Sequence, residues 1–439
     1  MTKNLNVVIL AAGVGSRMKS SVPKCLHLLG GYPMIEHSLL KAYQLNSINT
    51  ICVIGEEMED MALYLRNHHN SSAKISYQKE KLGTCHAVLS AEDHLELNNE
   101  GVLLVLYGDT PLVCLNKLSA LVNLVEQQHA DVAILAFEKL ESNAYGKLVI
   151  QDGNIQKIIE HADAKGEQNL NLCNSGVMAL SIKTAVPLLK SISNNNNKGE
   201  YYLTDIIELC NNNNLICKYL LDEEDNLQGA NSKYELAKLE KKFQEQKRLE
   251  FLESGVQMID PDTIYFSLDT KIGSNVILYP NIYFGKNVTI GSYVNIFSFS
   301  FIEGATIQNN VNVGPYARLR EGSVLEENAK VGNFVEVKKS IIKAGAKVNH
   351  LSYIGDAEIG YNTNVGAGTI TCNYDGVNKH TTKIGDNCFI GSNTAIVAPV
   401  SIESNSTVAA GSTITMNVEE SSLAVARSRQ RNISNWKKK

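Results

Sequence analysis

From residue 272 onward, apolar residues recur every six positions. Ile272, Leu278, Phe284, Ile290, Ile296 and Ile302 are evenly spaced. The register then slips by one, and Ile307, Val313, Leu319, Leu325, Val331 and Val337 carry it on. After slips at Ile342 and Ile359, the series Ile384, Ile390, Ile396, Ile402, Val408 and Ile414 is again unbroken. Glycine follows many of these residues, as in Ile272-Gly273, Ile290-Gly291 and Ile390-Gly391. This is the hexapeptide repeat of a parallel β-helix, with three hexads to one triangular coil. The apolar residue points inward and stacks on its equivalent in the next coil, while small residues turn the corners. From Ile272 to Ile414 the repeats fill roughly eight coils at ~18 residues each.

The first half follows another rule. Short apolar runs at 6–11, 50–55, 101–107 and 130–137 alternate with amphipathic stretches such as 34–45 and 115–127. Buried strands separated by helices imply a Rossmann-like α/β domain with a mostly parallel sheet. Ligands of such sheets bind beyond the carboxyl ends of the strands. Residues 232–253 hold no Gly or Pro and carry Leu236, Leu239, Phe243, Leu249 and Leu252 as an interrupted apolar stripe. They predict one long connecting helix that ends near Gly255. The expected division is 1–229, a linker helix 230–255, and 256–439. The asparagine tracts at 194–197 and 211–214 read as exposed loops.

A length of 439 residues allows two or three domains at roughly 150 residues each. Lys plus Arg number 41 against 46 Asp plus Glu, a net charge of −5, which offers no broad surface for nucleic acid. No run approaches the ~20 apolar residues of a membrane span, and the N-terminus is too short and polar for a secretory signal. The nine cysteines are scattered without a Cys-x-x-Cys, which fits neither a disulfide framework nor a zinc site. The expectation is a reduced cytoplasmic protein without stable membrane association.

The first strand runs into Leu10-Ala11-Ala12-Gly13-Val14-Gly15-Ser16-Arg17-Met18, followed by Pro23-Lys24. Glycines after a strand let backbone N–H groups approach phosphate oxygens, and Arg17 and Lys24 add positive charge. The turn has neither the Gly-Lys-Ser/Thr of a P-loop nor the spacing of a dinucleotide fold. A later strand ends in Tyr107-Gly108-Asp109-Thr110-Pro111. A carboxylate at such a strand end can hold Mg²⁺ beside a triphosphate; alone, Asp109 reads better as a helix or turn cap, and the Gly-rich loop at the neighbouring strand end tips the reading toward the metal.

These segments are similar to the sugar-1-phosphate nucleotidyltransferase family. The β-helix half adds Gly314-Pro315-Tyr316-Ala317-Arg318-Leu319-Arg320, Val331-Gly332-Asn333-Phe334-Val335-Glu336 and residues 366–376, Gly-Ala-Gly-Thr-Ile-Thr-Cys-Asn-Tyr-Asp-Gly. Together they resemble the bifunctional bacterial UDP-N-acetylglucosamine pyrophosphorylase/glucosamine-1-phosphate N-acetyltransferases over nearly the whole chain. The resemblance implies a left-handed β-helix, a homotrimer with acyl-transfer sites built between subunits, and Mg²⁺ as cofactor. It implies UTP, acetyl-CoA and glucosamine-1-phosphate as substrates, and a product that feeds peptidoglycan and lipopolysaccharide synthesis.

For the first site it implies that Leu10, Ala11, Ala12 and Gly13 face the nucleotide and that Lys24 meets its phosphates. Gln78, Gly83 and Thr84 would contact uracil, and Tyr107 and Gly108 would line the same pocket. Gly146, Glu160 and Asn174 would hold the N-acetyl sugar, and Asp109 and Asn231 would bind Mg²⁺. Without the resemblance, Glu160 is a surface charge and Asn231 a cap for the long helix. For the second site it implies His350 as general base, since acyl transfer to an ammonium needs a group that titrates near neutrality. Arg320 and Lys338 would grip the sugar phosphate, and Tyr353, Asn364 and Lys379 would complete that pocket. Ala367, Asn373, Tyr374, Ser392, Ala410 and Arg427 would contact acetyl-CoA.

Three departures stand out. Lys147 replaces the Arg of Tyr-Gly-Arg, which keeps charge but not a bidentate fork. Cys85 replaces a smaller residue, and Glu321 stands where Pro is usual. The tail Lys437-Lys438-Lys439 reads as a solubilising end. The rival reading is a nucleotidyltransferase whose β-helix serves only as an oligomerisation scaffold.

Overall fold

The structure, a computed structural model, describes residues 4–68, 73–95, 100–139, 145–163 and 170–437. The chain divides into two compact units, Met1–Phe243 and Gln244–Lys439. The long helix, Lys233–Glu253, runs through that division. Each of its halves is fixed to its own unit. Glu240 accepts the Gly30 N–H at 2.8 Å, and Gln244 exchanges two hydrogen bonds with the Phe266 backbone.

The first unit is built on one sheet. Its strands run in the spatial order Cys217–Leu221, Val132–Glu138, Leu172–Ser181, Val102–Tyr107, Leu5–Leu10, Asn49–Gly55 and Ala73–Gln78. All neighbouring pairs are parallel except those made by Leu172–Ser181, which is antiparallel to both of its neighbours. Leu5–Leu10 is buried at every position, as its unbroken apolar run requires. From this strand the chain first builds outward through Asn49–Gly55 to Ala73–Gln78, then returns to its other side with Val102–Tyr107. The order therefore reverses beside Leu10, which is where an open parallel sheet forms its ligand crevice. A hairpin, Lys147–Gln151 with Asn154–Ile159, branches from Leu172–Ser181; the apolar runs did not announce it.

The second unit is a left-handed β-helix of three parallel sheets, with ten, nine and eight strands among the described residues. Inward residues stack in columns. On face one the column runs Leu278, Ile296, Val313, Val331, Val348, Val365, Ile390 and Val408. The helix begins earlier than the regular period, at Gln257–Met258 and Ile264–Tyr265. Phe266 stacks on Phe284 at 5.3 Å as its inward equivalent, and the step from Met258 to Phe266 is longer than six, which hid this coil. The slips have one cause. The five-residue steps from Ile302 to Ile307, Val337 to Ile342 and Ile354 to Ile359 all fall between face two and face three. Thr371 takes the inward place on face two where an apolar residue was expected, and its hydroxyl accepts the Gly355 N–H at 2.8 Å.

Corners turn through left-handed residues three positions after the inward one. Asn275, Asn281, Asn287, Asn310, Asn328, Asn362, Asn387 and Asn393 all have φ between 54° and 61°. Asparagine tolerates this region, whereas a β-branched residue does not. Asn287→Val is expected to destabilise the chain by ~1–2 kcal/mol, and Asn287→Gly by less than ~1 kcal/mol. Urea unfolding of both variants measures the difference; equal losses would contradict a conformational role for the corner.

Candidate functional sites

At the switch point, Leu10, Ala11, Ala12, Gly13, Lys24, Gln78, Gly83, Thr84, Tyr107 and Asp109 line one cavity of about 320 Å³. The parallel register explains the meeting. Leu10 lies beside Tyr107, and the Gly108 N–H reaches the Leu10 carbonyl at 3.0 Å. Gly108 packs against Ala11 and Cys25, where an added Cβ would lie 3.3 Å and 3.1 Å from their side-chain atoms. Gly15 is left-handed at φ 70°, and a Cβ there would lie 2.6 Å from Lys24 Cβ. Glycine at 15 thus lets the turn close over Lys24.

Lys24 is buried, and its ammonium joins two chain segments. It pairs with the Asp109 carboxylate and donates to Asn231 Oδ1 at 2.6 Å. Asn231 does not cap the long helix. Ser232 Oγ accepts the Glu235 N–H at 3.2 Å, as a helix cap does, and Glu235 Oε2 accepts the Asn231 N–H at 2.6 Å, one residue before the cap. The Asn231 side chain is thereby turned to the site. Asp109 and Asn231 present hard oxygen donors to one shared point. Mg²⁺ is usually held by one or two carboxylates plus substrate phosphates, so these residues fit it. Among the described residues no group of three His, Cys, Asp or Glu side chains forms a separate metal cage.

Gly146, Glu160 and Asn174 come together next door. The Asn174 N–H donates to the Gly146 carbonyl at 2.8 Å, and an added Cβ on Gly146 would lie 3.4 Å from Glu160 Oε1. Glu160 is not a free surface charge, because Thr204 Oγ1 donates to it at 2.8 Å. Tyr107 links the two groups: burial, then Asp109 and Glu160, pushes its hydroxyl pKa upward. Arg17 falls outside. It is exposed on the short helix Ser16–Met18 and does not line the cavity.

Sequence reasoning missed Lys81, Cys25, Ala87 and Glu200 in the cavity wall, and Thr204 beside Glu160. Only the folded backbone brings Glu200 and Thr204 near. The Tyr201 N–H reaches Leu82 O at 2.7 Å, and the Leu203 N–H reaches Thr84 Oγ1 at 2.9 Å. Lys147 donates to Cys173 Sγ at 3.1 Å. Cys85 is fully buried against Leu189 O, with its Sγ at 3.4 Å. Glu321 supplies the carbonyl for the Lys339 N–H at 3.1 Å.

In the β-helix most of the anticipated residues fall on face two or its two edges. Along the edge shared with face one, His350, Ala367, Ser392 and Ala410 hold one position in successive coils. His350 O accepts from Gly368 N, Ala367 O from Asn393 N, and Ser392 O from Gly411 N. Arg427 lies over Gly411 in the next coil, its Cδ 3.9 Å from a Cβ added there. His350 is exposed, and its Nδ1 hydrogen-bonds Asn333 Oδ1 in the preceding coil. Asn364 stands on face one beside Lys347.

Along the other edge, Arg320 and Lys338 are equivalent positions in adjacent coils, and Lys338 lies beside Gly355. An added Cβ on Gly355 would lie 2.5 Å from the Tyr353 hydroxyl, so glycine there lets that ring fold over the edge. Arg320 pairs with Glu336 at 2.8 Å. Lys379 has its pKa pushed down by a hydrogen bond to Lys338 and by that neighbour's charge. Two adjacent ammonium groups favour a dianionic ligand. Residues 373–382 leave the β-helix at this edge as a hairpin closed by the Tyr374–Lys379 bridge. Asn373 Nδ2 anchors it to Asp356 at 2.5 Å. Asp375, missed earlier, accepts from Val377 N, Asn378 N and His380 Nε2 inside it, which holds its carboxyl down at about 2. Lys438 and Lys439 lie outside the described residues.

Residues 7–172 match the MobA-like NTP transferase domain, and residues 381–416 match the hexapeptide repeat of succinyl-transferase. The chain is 46% identical to the bifunctional protein GlmU of Zymomonas mobilis, covering 100% of this chain and 97% of that one. It is 43% identical to its counterpart in Paramagnetospirillum magneticum, covering 99% and 96%. With the Bartonella quintana protein of that name the identity is 42%, covering 96% and 94%. The chain therefore belongs to the GlmU family of bifunctional uridylyltransferase–acetyltransferases.

Proposed function

We propose that residues 1–229 form the uridylyltransferase domain, 230–255 a connecting helix and 256–439 the acetyltransferase domain. The enzyme acetylates glucosamine-1-phosphate from acetyl-CoA and transfers UMP from UTP to the product, giving UDP-N-acetylglucosamine and pyrophosphate. The family generally uses a divalent metal, and we assign Mg²⁺ to Asp109 and Asn231. The observation that carries the first site is the convergence of Asp109 and Asn231 on Lys24 beside the switch-point cavity.

In this reading Leu10 to Gly13, Gln78, Gly83 and Thr84 hold the uridine nucleotide, and Gly146, Glu160 and Asn174 hold the sugar. Bound Mg²⁺ supplies charge neutralisation on the triphosphate. Lys24 meets the α-phosphate side and aligns it for in-line attack. The sugar phosphate oxygen, already ionised at pH 7, bonds to the α-phosphorus, and the bond to the pyrophosphate oxygen breaks. No general base is required. The exposed Arg17 would take part only by moving toward the phosphates.

At the second site Arg320, Lys338 and Lys379 form a cationic edge for the sugar phosphate, with Tyr353 and Asn364 completing the pocket. Ala367, Asn373, Tyr374, Ser392, Ala410 and Arg427 receive acetyl-CoA. With the Asn333 oxygen facing Nδ1, the His350 proton sits on Nδ1 and Nε2 carries the lone pair. Nε2 takes a proton from the substrate ammonium. The amine nitrogen then bonds to the thioester carbon, the carbon–sulfur bond breaks, and the proton that the nitrogen sheds on becoming an amide goes to sulfur, so that CoA leaves as a thiol. The ordered set along both edges of face two argues against a β-helix used only as a scaffold.

We further propose a homotrimer. Phe299, Tyr316, Phe334 and Leu351 are 51%, 47%, 53% and 61% exposed, on the same edge as His350. The three aromatic rings stack at 4.9 Å and 5.0 Å. A contiguous exposed apolar strip marks an interaction surface, and a neighbour packed there would enclose His350. No helix among the described residues is long and apolar enough to cross a membrane. We place the enzyme in the cytoplasm, in keeping with its free cysteines.

Asp109→Asn is expected to abolish pyrophosphate release, by ~10–100-fold or more, while acetylation continues; wild-type uridylylation at saturating Mg²⁺ would remove Asp109 from the site. His350→Ala is expected to lose ~10²–10⁴-fold in acetyl transfer with uridylylation intact. A lower melting temperature with acetylation retained would instead make His350 structural. For assembly, light scattering is expected to report a trimer. A Phe299→Glu/Phe334→Glu variant is expected to dissociate and lose acetylation but not uridylylation; an acetylating monomer would refute the trimeric site.

A further inference from the structure

Asp109 sits in the middle of the segment Tyr107-Gly108-Asp109-Thr110-Pro111, and one helix holds both ends of that segment from behind. The helix is Met34–Gln44. Its Ser38 Oγ donates to the Tyr107 carbonyl at 3.0 Å. Its Lys41 ammonium donates to the Pro111 carbonyl. Residues 38 and 41 are three apart and so share a helix face. Ser38 is buried, and Lys41 is half-buried. A lysine withdrawn from water is stable there only with a partner for its charge, and the Pro111 carbonyl is that partner. Between the two anchors, the Asp109 carbonyl accepts the Ala230 N–H at 3.2 Å, which ties the segment to the chain just before Asn231.

We propose that Ser38 and Lys41 are positioning residues for the Asp109 carboxylate. Neither reaches the cavity wall, so neither touches nucleotide. They fix the two carbonyls that flank Asp109 and thereby set the point at which its carboxylate meets the Asn231 amide oxygen. Removing the Lys41 donor leaves the Pro111 carbonyl without that bond and frees one end of the segment.

The proposal rests on Asp109 as a cation ligand, and the test separates the two claims. Mn²⁺ is titrated into the full chain and followed by the electron paramagnetic resonance of the free ion, alone and then with UTP but no sugar phosphate. Outer-shell changes typically cost ~10–100-fold in metal affinity. Lys41→Met is expected to weaken Mn²⁺ binding by at least about tenfold, and Ser38→Ala by roughly fivefold. Melting temperature and acetyl transfer are measured on the same preparations, and both are expected to stay near wild type. Lys41→Met or Ser38→Ala that binds Mn²⁺ like the wild type overturns the positioning role. So does a variant that melts earlier yet keeps its Mn²⁺ affinity, which marks a stabilising contact only. Asp109→Asn is the control: if it binds Mn²⁺ normally, the ligand assignment itself falls.

Discussion

Parallel strand pairing is the constraint on which both candidate sites depend. Parallel neighbours end at the same side of a sheet, so residues far apart in sequence arrive side by side without any contact of their own. In the first unit this brings Leu10 beside Tyr107, and with them the Gly-rich turn and Asp109. In the second unit the same pairing, repeated coil after coil, puts His350, Ala367, Ser392 and Ala410 into one column. Parallel sheets are stable only when covered. The first unit covers both faces of its sheet, and the β-helix covers each inner face with the other two. Large-to-small changes in such columns cost ~2–5 kcal/mol each.

The β-helix is less uniform than its period suggests, and its irregularities lie where the chemistry does. Every five-residue step falls at the corner between face two and face three. The hairpin of residues 373–382 leaves at that corner too. Arg320, Lys338, Asp356 and Asn373 occupy the same edge. A shortened corner changes where outward side chains point but leaves the inward column intact. The cationic groups have therefore been added at this edge, while the hydrophobic stack that holds the fold continues past it. The opposite edge of face two carries left-handed residues that are large rather than small: Phe299, Tyr316, Phe334 and Leu351. Their backbone conformation costs energy, and stacking between exposed rings offsets only part of it.

Much of this was legible in the sequence because the relevant signals are periodic or local. Six-residue spacing gave the β-helix, and unbroken apolar runs gave the central parallel strands. The Gly-rich turn and the strand end at Asp109 flagged the first site, and motif resemblance supplied most of the rest. What was hidden depends on distance in the chain. Thr204 meets Glu160 only after folding. The first coil at Gln257–Met258 was masked by a long step, and Thr371 by its hydroxyl. Asn231 resembled a helix cap, but Ser232 takes that role, and Glu235 binds the Asn231 backbone. Arg17, four residues from Gly13 in the sequence, is exposed and outside the cavity lining despite its motif.

The central claim is that one chain aligns two separate sites by parallel register. The most direct measurement is a crystal structure of the full chain with UDP-N-acetylglucosamine, Mn²⁺ and CoA bound together. The account predicts diphosphate density against residues 11–13 and Lys24, with an anomalous manganese peak shared by Asp109 and Asn231. It predicts CoA density along the edge formed by Ala367, Ser392 and Ala410, with His350 at the pantetheine end. Nucleotide bound instead at the larger acidic groove of Glu160, Asp163, Asp205 and Glu208, or CoA on face three, would contradict it.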